Sequence, residues 1–312
     1  MRLKENVSYF YDYDSKKTVI NYGIKEFSIV DQQKEYFNQL KRIGLENPGS
    51  DLLEFLTDKN LLDASDMANV KTDVARTGIY FADKLPSQTE NYSISTIFKT
   101  LGEITVVILG CGGIGTVVVD NLVRSGIKKF VLVDGDDVES SNLNRQVFFS
   151  TEDIGKKKTK VLYTKLLKLF KDVRITVCSQ YIKNTNDLTE ILSNKSLNEA
   201  NSILVNCADT PQNIEEIVAR SCQKFEIPFV SGYVGVETGT WGPIYDKKHK
   251  YKKESILDGE PLKASLSMTN MTTASLLSKL ILDYLMRKVY KTENCFYETH
   301  TLDFERMRID NE

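Results

Sequence analysis

Gly110, Gly112 and Gly115 stand as G-x-G-x-x-G in the run ILGCGGIGTVVVDNLVRSG, with Gly113 in the same turn. Between an apolar strand and a helix, that spacing suits a phosphate. The first glycine permits a tight turn, the second lets the backbone approach an anion, and the third lets helix and strand pack closely. Backbone N–H groups and the positive end of the helix dipole then face the anion. Asp134 follows Gly115 by 19 positions, at the end of the next strand. A carboxylate there reaches ribose hydroxyls. These residues suggest a nucleotide site, and the plainer alternative is a glycine turn that serves packing alone. The loop by itself does not separate NAD from ATP.

The residues that follow do. DGDDVESSNLNRQVFFSTEDIGKKKT places Arg145 and Lys158 a little beyond the ribose carboxylate. Hydride transfer has no use for two cations there. Release of pyrophosphate from ATP does, because negative charge gathers on the departing phosphates. Lys156 and Lys157 read as solvated lysines at a helix start. Asp209, in VNCADTPQN, falls at the carboxyl end of a later strand, where parallel sheets place their ligands. It either holds Mg2+ beside the phosphates or caps the helix after Pro211.

The elements that must position these groups alternate from Ile104 onward. ITVVIL, KFVLVD, RITVCSQYI, SILVNCA and PFVSGYV read as strands. GIGTVVVDNLVRSG, KTKVLYTKLLKLF, DLTEILSN and NIEEIVARSCQKF read as the helices between them. That order predicts an α/β fold, a doubly wound, mostly parallel Rossmann-like sheet over residues 101–312. Residues 1–75 differ. VSYFYDY and TVINYGI alternate around a turn-like DSKK, then two helical patterns follow, with Asp31 and Ser50 as N-cap candidates. This predicts a small winged-helix-like α+β domain. Residues 76–100 are polar and irregular and read as a linker or arm.

Bulk properties exclude several classes. The net charge of −2 gives no basic field for nucleic acid. The N-terminus has no apolar signal segment, and SLLSKLILDYLMRKVY is interrupted by Lys279, Asp283 and Arg287, so no membrane span is expected. The five cysteines form no C-x-x-C pair, which argues against zinc and fits a reducing, cytoplasmic setting. Cys111, Cys178, Cys207 and Cys222 read as small core residues. Cys295 is a weak nucleophile candidate. His249 and His300 have no partner motif.

In order behind the glycine loop, SNLNRQ, IGKKKTKV and NCADTPQN resemble the ubiquitin-activating-type (ThiF, MoeB and HesA) superfamily. VVILGCGGIG, NLNRQVFFSTEDIGKKKT and SGYVGVETGTWGPIY are similar to its peptide-antibiotic maturation branch. The resemblance spans roughly residues 100–290 and implies ATP and Mg2+ as the nucleotide and metal. It implies that Asp134 binds ribose, Asp136 lies near phosphates and metal, and Asn142 lines the site. It also implies that Arg145 and Lys158 hold the triphosphate and Asp209 the Mg2+. Arg76, in DVARTGIYF, is its candidate for an arginine reaching a partner subunit's site in a homodimer; a plain surface arginine is the alternative. The apolar helix SMTNMTTASLLSKLILDYL reads as surface for that partner.

The chain departs from the pattern in the short segment HKYKKESILDGEPLKASLSMTN, which holds neither zinc-binding cysteine pairs nor an acyl-accepting cysteine. What remains is activation of a carboxylate without an enzyme thioester, and the resemblance to the peptide-antibiotic branch implies that this carboxylate belongs to a ribosomally made precursor peptide, with the following attack coming from within the substrate. The same resemblance implies that the N-terminal domain holds that peptide, by an added strand; a dimerisation or packing appendage is the alternative. The rivals are an activator of a sulfur-carrier C-terminus and a non-catalytic peptide-binding member.

Overall fold

The computed structural model describes residues 2–63, 65–87, 92–193, 197–252, 264–290 and 296–311. Cys295 and residues 253–263 of the short segment lie outside them. The chain divides into two compact units.

The first unit runs to Lys99 and includes the C-terminal end of the last long helix. Its strands are β1 (Arg2–Leu3), β2 (Val7–Asp12), β3 (Lys17–Tyr22) and β4 (Lys25–Val30), followed by helices α1 (Glu35–Arg42) and α2 (Ser50–Asp58). β2, β3 and β4 form an antiparallel meander. The third strand was not expected, because TVINYGI reads as one run. Gly23, at φ +61°, turns the chain in a two-residue loop with Ile24, and a glycine opening such a loop is the available signal. Ile20, Leu40, Leu52, Leu56, Leu61 and Leu62 pack together as its core.

The α1 N-cap is Lys34 and not Asp31, yet the Asp31 carboxylate still accepts from the Phe37 N–H in the first turn at 2.9 Å and from the Thr18 hydroxyl at 2.7 Å. Ser50 does not cap. It is the first residue of α2 and donates to Asp51.

Residues 76–100 are not an irregular linker. After β5 (Leu62–Asp63) and β6 (Ser65–Asp66) come α3 (Ala75–Lys84), β7 (Tyr92–Ser93) and α4 (Ile94–Glu103). Phe81, Ala82, Leu85, Ile94 and Ile97 are buried, at a spacing diluted in sequence by intervening polar residues. Long-range bonds tie the segment to the strands: Lys4 donates to Leu85 O at 2.7 Å, and the Tyr22 hydroxyl to Asp83 at 2.9 Å. The compact unit therefore extends past the boundary expected at residue 75.

The second unit holds the expected alternation. β8 (Thr105–Leu109), α5 (Gly113–Arg124), β9 (Lys129–Val133), α6 (Lys158–Leu169), β10 (Arg174–Cys178), α7 (Thr185–Ser193), β11 (Ser202–Asn206), α8 (Ile214–Phe225) and β12 (Phe229–Val234) follow in sequence. The strand order is β10-β9-β8-β11-β12, all parallel. It reverses direction at β8, the strand that feeds the glycine loop. Beyond β12 the sheet continues antiparallel through β13 (Thr238–Tyr245), β14 (His300–Asp303) and β15 (Arg308–Asn311). These three strands were not anticipated, as they belong to no alternating pattern.

The helix α9 (Ser267–Tyr290) corrects a further expectation. Ala274, Leu277, Ile281, Leu282, Tyr284 and Met286 are all buried, so its apolar face is core and not open surface for a partner.

Candidate functional site

The glycine loop is shaped by what its residues cannot carry. Gly110 has φ +92°, and a Cβ there would lie 2.8 Å from the Cys207 carbonyl carbon. A Cβ on Gly115 would lie 1.9 Å from Gly110 O, and one on Gly113 2.3 Å from Asn270 Oδ1. Gly112 is different: the nearest atom to its added Cβ is Gln146 Nε2 at 3.6 Å. Gly110 and Gly115 thus serve the turn and the helix packing, and Gly112 leaves open the approach to the N-terminus of α5. Free helical N–H groups at that end suit an anion.

Asp134, directly after β9, takes the Cys111 N–H on one oxygen at 2.7 Å and the Asp136 N–H on the other at 2.8 Å. The carboxylate is thereby fixed against the loop. Burial raises its pKa, against the opposing charge of Lys158. Lys158 opens α6 and is buried, and its Nζ donates to Asp136 Oδ2 at 2.7 Å. Burial pushes the Asp136 carboxyl up, but the bond and charge of Lys158 prevail and hold it below the usual range. Lys157, by contrast, pairs with Asp137 at 2.9 Å and donates to Gly135 O at 2.8 Å. It pins the turn instead of standing free in solvent.

Asn142 is buried, and its Oδ1 accepts the Glu139 N–H at 3.1 Å, closing a short helical turn. Arg145 follows, half-buried, bonded to Ser141 O and Asn144 Oδ1, each at 2.9 Å. Asp209 is exposed beyond β11 and, among the described residues, takes the Thr210 hydroxyl at 3.2 Å. The α8 N-cap is Asn213, so Asp209 is not the cap. The structure thus brings Gly110, Gly112, Gly113, Gly115, Asp134, Asp136 and Lys158 together by direct contact or chain continuity. Arg145, Asn142 and Asp209 lie in loops at the same carboxyl edge of the sheet. Arg76 is exposed on α3, in the first unit.

Sequence reading missed the groups that hold these loops. Buried Asn206 ends β11; its Oδ1 accepts the Ala208 N–H at 3.2 Å and its Nδ2 donates to the Tyr233 hydroxyl at 2.8 Å. Ser231 donates to Glu215 at 2.9 Å. Asn270 fixes Ser265 and Leu266 at the start of α9 and abuts Gly113. Gln146 is buried beside Gly112, with Oε1 unpaired. A polar residue ending an apolar strand, or set inside an apolar helix, was the available signal.

An ATP-type ligand fits this donor set: an open helix N-terminus, a ribose-level carboxylate and buried positive charge. Asp209 is a carboxylate available to Mg2+, which commonly takes one or two carboxylates besides phosphates. Burial lifts the Cys111 and Cys222 thiols and pushes Cys207 up to about 12, so these groups stay protonated at neutral pH. Among the described residues no group of three or more His, Cys, Asp or Glu side chains is arranged to hold a metal, and no helix is long and apolar enough to cross a membrane.

The ThiF family matches residues 90–312. The sulfur carrier protein ThiS adenylyltransferase of Escherichia coli is 33% identical over 129 residues, 40% of this chain and 47% of that protein. SUMO-activating enzyme subunit 2 of Dictyostelium discoideum is 29% identical over 153 residues, 45% of this chain and 22% of that protein. The chain therefore spans less than half the length of these relatives. Among solved structures, E. coli MccB with MccA-N7isoASN covers the whole chain and 96% of its own at TM-score 0.80 and 20% identity. PaaA covers 99% of this chain and 98% of its own at TM-score 0.67 and 20% identity. These likenesses establish the fold.

Proposed function

The chain belongs to the ThiF family, and on that premise we propose that it uses ATP to adenylate a carboxylate of a ribosomally made precursor peptide. The carboxylate oxygen attacks the α-phosphorus and the bond to pyrophosphate breaks. The resulting acyl adenylate is then attacked by a group of the substrate itself, and AMP leaves with the bonding pair. In this reading Gly112 and the α5 N-terminus receive the phosphates, Asp134 takes the ribose, and Asn142 shapes the wall. Arg145 and Lys158 neutralise the departing pyrophosphate. Asp209 would hold Mg2+, with Asp136 as a second candidate carboxylate, and the ion would supply further charge neutralisation. The enzyme contributes position and preorganised charge, and forms no covalent link.

The observation that carries this reading is Lys158: a buried ammonium opening a helix, one carboxylate away from the ribose-level Asp134. The protonated, buried cysteines favour a route without an enzyme thioester. MccB, which shares the fold, was solved with ATP and with MccA. The N-terminal unit is proposed to bind the peptide at an open edge of its meander, β2 or β4, in a homodimer in the cytoplasm. ATP–pyrophosphate exchange tests the function: it should depend on a precursor peptide.

The similarity to sulfur-carrier adenylyltransferases favours a second reading, activation of a carrier protein's C-terminus. Exchange driven by a sulfur-carrier protein and not by peptides would select that reading.

A further inference from the structure

Tyr181 belongs to none of the motifs above, yet it stands in the site. It follows β10 by three residues, at the carboxyl edge of the sheet. Its ring covers Gly135: a Cβ on that glycine would meet Tyr181 Cγ, Cδ1 and Cδ2 at 2.5, 2.6 and 2.7 Å. Near-equal distances to these three carbons set the ring face-on to the glycine. The phenol interacts electrostatically with Asp136, which also holds Lys158. The residue nevertheless remains 58% exposed. A tyrosine placed for packing alone would bury more of its apolar surface.

The strand order gives that open surface a use. From the switch strand outward the sheet runs β8, β9, β10. In the ATP reading the phosphates lie at the loop after β8 and the ribose at Asp134 after β9. A base attached to that ribose and continuing outward reaches the loop after β10. We propose that Tyr181 is the platform on which the nucleobase of the bound nucleotide stacks. The glycine at 135 makes this geometry available, since any side chain there would lift the ring. Stacking is tolerant of base identity but needs an aromatic face, so Phe preserves it and Ala removes it.

The inference rests on the ATP reading, and the test separates the two. Calorimetric titration of wild type, Tyr181→Phe and Tyr181→Ala with ATP and with inorganic tripolyphosphate is the measurement. Tyr181→Ala should weaken ATP by about tenfold, the usual loss for a removed base stack. Its tripolyphosphate affinity should match wild type, and Tyr181→Phe should bind ATP within about twofold of wild type. Unchanged or tighter ATP binding by Tyr181→Ala overturns the platform, as does an equal loss for tripolyphosphate. Wild-type protein that binds no ATP removes the nucleotide reading itself, and the platform with it.

Discussion

Single side chains at the site divide into those that bear charge toward a ligand and those that hold the loops. Lys158 and Arg145 are the first kind in the proposed reaction. Replacing either with Ala should reduce peptide-dependent pyrophosphate exchange by about 100-fold or more while the fold persists. Near-normal exchange in both variants would remove them from the chemistry. Asp209→Asn should fold normally, since the α8 cap is Asn213, and should lose Mg2+-dependent exchange; full exchange by this variant would make the carboxylate structural. Asp153 is the second kind. Burial pushes its carboxyl up, but Lys165 and the Ser150 hydroxyl and N–H bring it down to about 2. A folded-state value below the unfolded value of about 4 stabilises the protein above that pH. The contribution fades as pH falls from about 4 toward about 2. The gap in denaturant midpoint between wild type and Asp153→Asn should therefore be constant above pH ~5 and narrow by pH ~3. An equal gap at both values would contradict the assignment.

At the scale of elements, the β8–loop–α5 junction separates folding from function within one motif. Gly115 has no room for a methyl, with Gly110 O 1.9 Å from the added atom. Gly115→Ala should unfold readily or fail to accumulate, as overpacking against backbone cannot be relieved by a rotamer change. Gly112→Ala meets nothing nearer than 3.6 Å. It should keep its melting temperature within a few degrees and lose nucleotide affinity, because the methyl occupies the phosphate's approach. If the two variants lose stability alike, Gly112 is structural as well. Asn206 has the corresponding role on β11, where its amide holds the turn that leads to Asp209.

For the whole molecule, the open question is whether a second copy completes the site. Arg76 is exposed on α3, and in the proposed homodimer it would reach a neighbour's phosphates. Mixing Arg76→Ala chains with Asp209→Ala chains should then restore activity to about a quarter of wild type, if subunits exchange randomly and only mixed dimers carry one complete site. No recovery from a mixture shown to exchange, or a monomer by sedimentation, excludes the arginine acting in trans. The buried face of α9 no longer argues for the dimer.

The parallel core and its nucleotide loop were legible because local rules set them. A buried parallel strand is a continuous apolar run, and G-x-G-x-x-G fixes a turn by the absence of side chains. Asp134, Asp136, Arg145 and Lys158 could be named because they lie within a few dozen residues of that loop, where chain connectivity limits their position, and Asp209 because it follows the carboxyl end of a later parallel strand. β4 and α3 were hidden by a turn inside an alternating run and by a diluted apolar pattern. β13, β14 and β15 escaped because antiparallel additions at a sheet edge follow no sequence period shared with the core. Tertiary structure alone decided that Lys158 is buried on Asp136, that Asn206 and Asn270 brace the loops, and that Tyr181 lies on Gly135. The Lys158–Asp136, Asn206–Tyr233, Asn270–Gly113 and Tyr181–Gly135 contacts each join segments far apart in the chain. Their meeting depends on how elements pack, which no local propensity encodes.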